Sequence, residues 1–99
     1  MDIKFKDKSL DKLEIDLTFD GGYSVAIVRS YRKKIAFIRS AMDERDLYAM
    51  RSLNFEKLKG SRSNQFSIRL NGQWRLILEF KSQDRGKLVL VISIEDYHK

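Results

Sequence analysis

The chain has 99 residues, of which 20 are lysine or arginine and 14 are aspartate or glutamate, so its formal net charge is +6. This length, with 42% hydrophobic residues, is typical of one small basic domain, residues 1–99. Cysteine is absent and histidine occurs once, which excludes disulfides, a thiol nucleophile and a zinc site of clustered cysteine or histidine. No apolar run is long enough for a membrane span, and the first residues lack the apolar core of a signal peptide. We expect a cytoplasmic protein with no metal, no cofactor and no membrane partner.

The first part of the chain predicts a short strand and a helix. Ile3 and Phe5 alternate with charged residues, as in a strand with one buried face. From Asp7 or Ser9 onward, leucines follow helical spacing as far as Leu17, and two glycines then end the pattern.

A second helix is predicted after Ser24, a residue type that is favoured at helix N-caps. Its apolar stripe recurs every three or four residues and comprises Ile27, Tyr31, Ile35, Ile38 and Met42. The segment 43–53 predicts a short helical turn that leads into a loop.

From residue 65 the hydrophobic period changes to two, which predicts three antiparallel strands. Their apolar residues are Phe66, Ile68 and Leu70; Trp74, Leu76, Leu78 and Phe80; and Leu88, Leu90, Ile92 and Ile94. The fold class predicted is α+β, with two N-terminal helices packed on one face of a small, mostly antiparallel sheet.

Apolar residues stay on one face only if the loop between the first two of these strands has three residues, 71–73. Ile68 then pairs with Leu76, and Arg69 lies directly opposite Arg75. Like charges in this position destabilise a sheet, so the pair predicts a bound anion between them.

The same requirement, that apolar residues stay on one face, applied across the loop 81–87, pairs Phe80 with Leu88 and Arg75 with Ser93. It brings residues 95–98 beside the two arginines. It also places three apolar residues on the face away from the helices, namely Ile77, Val89 and Val91.

Positive charge is concentrated in two blocks. The first comprises Arg29, Arg32, Lys33, Lys34 and Arg39, and the second comprises Arg51, Lys57, Lys59, Arg62, Arg69 and Arg75. A polyanion such as nucleic acid is the natural partner of such surfaces. A solvated basic face without a partner is the alternative.

Three motifs follow one another along the chain: Leu58-Lys59-Gly60-Ser61-Arg62, then FSIRLNGQWR at 66–75, then Glu95-Asp96-Tyr97-His98. With the opening segment 3–10, they resemble the HigB family of bacterial toxins within the RelE superfamily over nearly the whole chain. The resemblance implies a RelE-like fold with the active site on the sheet face away from the helices. It also implies the toxin half of a type II toxin–antitoxin pair, a metal-independent endonuclease that cuts messenger RNA on the ribosome.

The resemblance also implies partners in the bacterial cytoplasm. These are a HigA-like helix-turn-helix antitoxin, the ribosomal A site with its messenger RNA, and operator DNA reached only through the antitoxin.

Cleavage of RNA without metal needs a base, an acid and cations that stabilise the transition state. We expect Arg75 to stabilise that charge, because a guanidinium binds two phosphate oxygens at once. His98 and Asp96 are the expected proton-transfer residues, Lys59 adds positive field, and Tyr97 stacks on a base or donates its hydroxyl. The residues expected to bind RNA are Arg69, Lys57, Arg62, Arg32, Lys33 and Lys34.

One position departs from the family pattern. Many relatives carry a histidine two residues before Leu58, with a role at the cleavage site, and this chain has Glu56 there. A carboxylate also accepts protons, so activity is compatible with the substitution. The alternative is a non-catalytic basic module that binds RNA or a protein, a degenerate toxin.

Overall fold

A computed structural model describes residues 1–96, which form three helices and a five-stranded sheet. In chain order the elements are β1 (Asp2–Phe5), α1 (Lys8–Ile15), α2 (Val25–Ser40), α3 (Glu44–Ala49), β2 (Glu56–Lys57), β3 (Gln65–Arg69), β4 (Trp74–Ser82) and β5 (Lys87–Asp96). Single 3-10 turns lie at Arg51–Leu53 and Gly60–Arg62. The α+β class is confirmed, and α3 occupies the segment for which a short helical turn was predicted.

The strand order in the sheet is β1-β5-β4-β3-β2. Strand β1 runs parallel to β5, and every other neighbouring pair is antiparallel. The last strand along the chain therefore lies inside the sheet, between β1 and β4. Its final residues pair with the start of β4, beyond the last residue paired with β1.

Side chains cap the N-termini of the first two helices. A carboxylate oxygen of Asp7 accepts a hydrogen bond of 3.1 Å from the backbone N–H of Leu10, and Ser24 Oγ accepts one of 3.2 Å from Ile27. The hydroxyl of Ser9 also donates to Asp7, and these hydrogen bonds lower the pKa of the Asp7 carboxyl. Both predicted helix starts are confirmed.

The C-terminal ends of both helices come earlier than the leucine and methionine patterns predicted. Helix α1 ends at Ile15, and Leu17 is 78% exposed; α2 ends at Ser40, and Met42 is 83% exposed. Apolar residues that continue a helical period are not by themselves evidence of burial, since the backbone becomes extended at the C-caps Asp16 and Ala41 and the helical period stops there.

The helices cover one face of the sheet, called here the covered face. The buried residues of α2 are Ile27, Val28, Tyr31, Ile35 and Ile38, and they join one core cluster with Ile68, Leu70, Leu76, Leu78, Val89, Val91 and Ile94 of the sheet segment. Side chains alternate along a strand, so Ser67, Arg75 and Ile77 point to the other face, called here the open face.

The predicted pairing of β3 with β4 is confirmed, because Ile68 pairs with Leu76 and Arg69 with Arg75. The predicted pairing of β4 with β5 is wrong. Phe80 pairs with Val89 instead of Leu88, and Arg75 pairs with Glu95 instead of Ser93.

Two local features cause this difference in register. The strands extend to Ser82 and Lys87, so the loop between them is shorter than predicted, and it closes at Gly86 with a φ of 76°, a backbone conformation that favours glycine. A β-bulge then shifts the ladder between Ile77 and Leu78, where the partners are Ser93 and Val91. Ile92 is the extra residue.

The loop register places Val89 and Val91 opposite Phe80 and Leu78 on the covered face, and the bulge at Ile92 then returns Ile94 to that face. Val89 and Val91, expected on the solvent side, are 0% exposed and belong to the core on the covered face. Leu88, Leu90 and Ile92, expected in the core, are only half-buried. Ile77 does lie on the open face, where it is 3% exposed.

Candidate active site

A cavity of about 220 Å³ lies on the open face of the sheet. Its lining residues come from β3, β4, β5, the turn at 60–62 and the short segment between β2 and that turn, and they are Leu58, Arg62, Ser67, Arg75, Ile77, Glu95 and Asp96. The structure thus brings together three residues that the sequence predicted, namely Arg75, Asp96 and Arg62. We call this space the Arg75 cavity.

Arg75 is 8% exposed, an unusual environment for a residue that is always charged in proteins. On β4 it pairs with Arg69 of β3 on one side and with Glu95 of β5 on the other. Its Nη1 donates a hydrogen bond of 3.4 Å to the backbone carbonyl of Asn54. The sheet therefore fixes a positive charge at the base of the cavity.

Glu95 is a carboxylate of the cavity to which the sequence reasoning gave no role. Arg62 Nη1 and Nη2 donate to its two carboxylate oxygens at 2.9 Å each, and Ser93 Oγ donates to Oε2 at 2.7 Å. The hydrogen bonds to Glu95 raise the pKa of the Arg62 guanidinium. The register error explains the omission, because the correct pairing places Glu95 directly opposite Arg75.

Asp96 also lines the cavity, although it has the opposite orientation along the strand to Glu95. It pairs with Trp74, and its Oδ2 accepts a hydrogen bond of 3.0 Å from Gln73 Nε2. Tyr97 and His98 lie outside the described residues, so their roles stay predictions.

Three further predicted residues lie near the cavity without lining it. Glu56 is exposed on the edge strand β2, where it pairs with Ser67. Lys57 pairs with Phe66, which packs against the core, so strand alternation directs Lys57 away from the open face. Lys59 is exposed at the start of the turn at 60–62. The roles assigned to them, like that of exposed Arg69, stay predictions.

The first basic block lies on α2, on the other side of the sheet from the Arg75 cavity. Arg32 Nε donates to the carbonyl of Leu13 at 2.9 Å, and Nη2 donates to the carbonyls of Asp16 and Phe19 at 3.0 and 3.2 Å. Arg32 thus binds the end of α1.

Its two basic neighbours differ from it and from each other. Lys33 is exposed, whereas Lys34 is half-buried, donates to Ser30 Oγ at 3.3 Å, and has a pKa lowered by burial. The structure does not bring Arg32, Lys33 and Lys34 to the cavity, and RNA contacts by them stay a prediction.

Within residues 1–96, no three or more His, Cys, Asp or Glu side chains are grouped so that they would hold a metal ion. Over the same range, no helix is both long and apolar enough to cross a membrane.

A family model described as the RelE-like toxin of type II toxin–antitoxin system HigB matches residues 3–98. The chain belongs to this HigB-like toxin family. The resemblance read from the three sequence motifs is therefore confirmed, and membership of a type II toxin family implies an antitoxin as partner.

Two solved structures share the fold of this toxin. The YoeB/ParE toxin from Agrobacterium tumefaciens aligns with a TM-score of 0.60 at 18% identity, over 99% of this chain and 100% of that one. The conserved hypothetical protein HP0894 from Helicobacter pylori aligns with a TM-score of 0.51 at 13% identity, over 100% and 97%. No curated protein sequence shows a significant match. At these identities the likeness concerns the fold alone.

Proposed function

We propose that this toxin is a metal-independent endoribonuclease that cuts messenger RNA on the ribosome and so arrests translation. The observation that carries the proposal is the position of Arg75, a nearly buried guanidinium at the base of a cavity that two carboxylate residues also line. Fixed positive charge in a site that excludes water stabilises the charge that develops in phosphoryl transfer. Membership of the HigB-like family agrees with this activity, since RelE-like toxins are generally endoribonucleases.

The proposed reaction is an attack by the ribose 2′-oxygen on the adjacent phosphorus. The 2′-O–P bond forms as the P–O5′ bond breaks, which leaves a 2′,3′-cyclic phosphate and a 5′-hydroxyl. A base removes the proton from the 2′-hydroxyl, and an acid gives a proton to the departing 5′-oxygen. Asp96 and His98 are assigned to proton transfer, and Arg75 to the non-bridging phosphate oxygens.

The second basic block would position the RNA chain on the open face. Arg69, beside Arg75 on the neighbouring strand, and Lys59, beside the turn at 60–62, contribute positive charge around the cavity. Arg62 lines the cavity, whereas Lys57 on the edge strand is directed away from the open face and would contact RNA only outside the cavity. Tyr97 is assigned to stacking on a base.

The proposed partners are a HigA-like helix-turn-helix antitoxin, the ribosomal A site and messenger RNA, with operator DNA contacted only through the antitoxin. The proposed location is the bacterial cytoplasm, where translation takes place.

Induced expression in bacteria tests the proposal, with Arg75→Ala as the matched control. The wild-type chain should arrest growth and leave messages cut within translated regions, whereas the Arg75→Ala chain should do neither at equal abundance. Intact messages in wild-type cells would instead support the non-catalytic basic module. Growth arrest by both chains, without cut messages, would also contradict the nuclease.

A further inference from the structure

Ser67 is a buried polar residue whose hydroxyl has no hydrogen-bond partner in the part of the chain that the structure describes. The residue is 1% exposed and lines the Arg75 cavity. Strand β3 turns its side chain to the open face, beside Ile77 of β4 and Glu56 of β2.

A buried hydroxyl without a partner costs stability, because it gives up its hydrogen bonds to water and gains none in return. Alanine at this position would fill almost the same space without that cost. Among residues 1–96, Ser67 Oγ is the only buried side-chain nitrogen or oxygen atom without a hydrogen-bond partner. The fold gains nothing from the hydroxyl, so its position at the cavity points to a ligand.

Ser67 and Arg75 are diagonal neighbours on the open face, because Ser67 pairs with Ile77, two residues after Arg75 on β4. Diagonal positions in an antiparallel sheet lie roughly 7–8 Å apart, a span that the arginine side chain shortens. A serine hydroxyl reaches one of three staggered positions by rotation about χ1 and donates one hydrogen bond. A single tetrahedral anion fits between such a donor and a guanidinium.

We propose that Ser67 Oγ and the guanidinium of Arg75 together form a subsite for one phosphodiester group of an RNA chain. The Ser67 hydroxyl donates to one non-bridging phosphate oxygen, while Arg75 binds another. The choice of RNA as the source of the phosphate rests on the proposed function. Ser67 is thus a substrate-binding residue of the site.

The charges of the cavity are compatible with an anion at this place. The negative charge of Glu95 is offset by its two hydrogen bonds from Arg62. Asp96 accepts a hydrogen bond from Gln73. Glu56, directly opposite Ser67 on the edge strand β2, adds a negative charge on one side of the hydroxyl, and Arg75, with Arg69 opposite it, supplies positive charge on the other side.

The test measures binding of two probes, inorganic phosphate and a 2′-O-methyl dinucleotide, whose phosphodiester lacks the attacking hydroxyl. Titrations are followed by NMR at the Arg75 Nε–H and the Ser67 amide of the 99-residue chain. Both probes should shift these signals, and Ser67→Ala should weaken the binding of both by about tenfold or more, the loss expected for one hydrogen bond to an anion. Ser82→Ala, which removes an exposed hydroxyl at the end of β4, should change neither affinity.

A thermal melt in phosphate-free buffer distinguishes a ligand-binding serine from a purely structural one. If the Ser67 hydroxyl stabilised the fold, its removal would lower the melting temperature. Ser67→Ala should melt at the same temperature as the wild type or higher, and should gain less from added dinucleotide. A lower melting temperature for Ser67→Ala would show that the hydroxyl stabilises the fold and would overturn the proposal. Unchanged affinity in Ser67→Ala, or no binding by the wild type, would overturn it as well.

Both readouts are independent of ribosomes and of cleavage. Loss of dinucleotide affinity in a protein that cuts no message would keep the phosphodiester subsite and reject the nuclease. Binding of inorganic phosphate without the dinucleotide would reject RNA as the source of the phosphate.

Discussion

Arg62 and Glu95 are joined by two parallel hydrogen bonds of 2.9 Å, which connect the turn at 60–62 to the end of β5. The side chains are 44% and 31% exposed, and ion pairs with such access to water contribute little to stability. The pair lines the Arg75 cavity, where an RNA phosphate and the Glu95 carboxylate would compete for the Arg62 guanidinium. We therefore expect the Arg62–Glu95 ion pair to affect the affinity for RNA more than the stability of the fold.

Glu95→Gln removes one negative charge from the cavity and releases Arg62 to bind phosphate. The variant should bind a short single-stranded 2′-O-methyl RNA about three- to tenfold more tightly than the wild type at low salt. The slope of log affinity against log salt should steepen by about 0.7, the value for one more neutralised phosphate on a single strand. Fluorescence anisotropy over a salt series measures both quantities. Weaker binding would mean that Glu95 is needed to hold Arg62 in place.

Arg75 should act mainly on charge that develops in the transition state. Arg75→Lys should therefore lose nearly as much cleavage as Arg75→Ala, about a hundredfold or more, because lysine makes no bidentate contact with phosphate. Single-turnover cleavage of a message on ribosomes measures the loss, and near-wild-type melting temperatures would establish that both variants are folded. A folded Arg75→Lys chain with full activity would remove Arg75 from its assigned role.

The sequence predicted the helix starts and the pairing of Arg69 with Arg75 because local rules decide both. A capping side chain at Asp7 or Ser24 needs only its own first turn, and a three-residue loop leaves one consistent register. The register of β4 with β5 could not be predicted from the loop length and the alternation of apolar residues alone. The length of the loop between these strands placed Val89 and Val91 in the core, and a bulge then added one residue to β5 without a distinct residue pattern.

The same limit applied to the candidate site. Arg75, Arg62 and Asp96 were predicted from motif and charge, and all three line one cavity, whereas Glu95 became prominent only once its position opposite Arg75 was known. For Ser67, a serine among strand residues carries no signal of its own. Its importance depends on burial and on a missing hydrogen bond, and both are properties of the packed sheet.

Arg32 should matter for stability more than its neighbours do. Its guanidinium donates to the carbonyl of Leu13 in α1 and to two carbonyls of the segment that follows, so Arg32→Ala should lower the free energy of unfolding by about 2 kcal/mol. Arg29→Ala, at an exposed position of the same helix, should change it by less than about 0.5 kcal/mol. Urea unfolding of both variants compares them. Equal, small effects would show that the three hydrogen bonds contribute nothing net.

Ribosome binding by α2 is therefore tested best with the double variant Lys33→Ala, Lys34→Ala. This variant leaves Arg32 and its hydrogen bonds to the α1 segment intact. The double variant should bind ribosomes more weakly, with a smaller dependence on salt, and keep its single-turnover cleavage rate at saturation. A large loss of the saturated rate with unchanged affinity would contradict the separation of binding on α2 from chemistry at the Arg75 cavity.

Glu56 occupies the position at which the family resemblance predicts a histidine, and its place in the sheet decides how much it should matter. It is exposed on the edge strand β2 and pairs with Ser67, yet it does not line the Arg75 cavity. Its negative charge lies on the open face, where it weakens the positive field that Arg69 and Arg75 present to an RNA phosphate. Glu56→Ala should therefore reduce cleavage by less than about tenfold. Glu56→His should be tolerated and should raise the rate, since it removes that charge and supplies a second group that titrates near neutral pH.

His98→Ala should be far more damaging than either change at Glu56, because His98 is the single histidine of the chain and is assigned to proton transfer. Single-turnover cleavage of one message on ribosomes, compared for the three variants over a pH series, separates the two positions. Loss of His98 should remove the limb of the pH profile near neutrality, and Glu56→Ala should leave it in place. If Glu56→Ala is as inactive as His98→Ala and loses the same limb, then Glu56 is the general base. Proton transfer would then start from the edge strand, next to Ser67, rather than from Asp96 or His98.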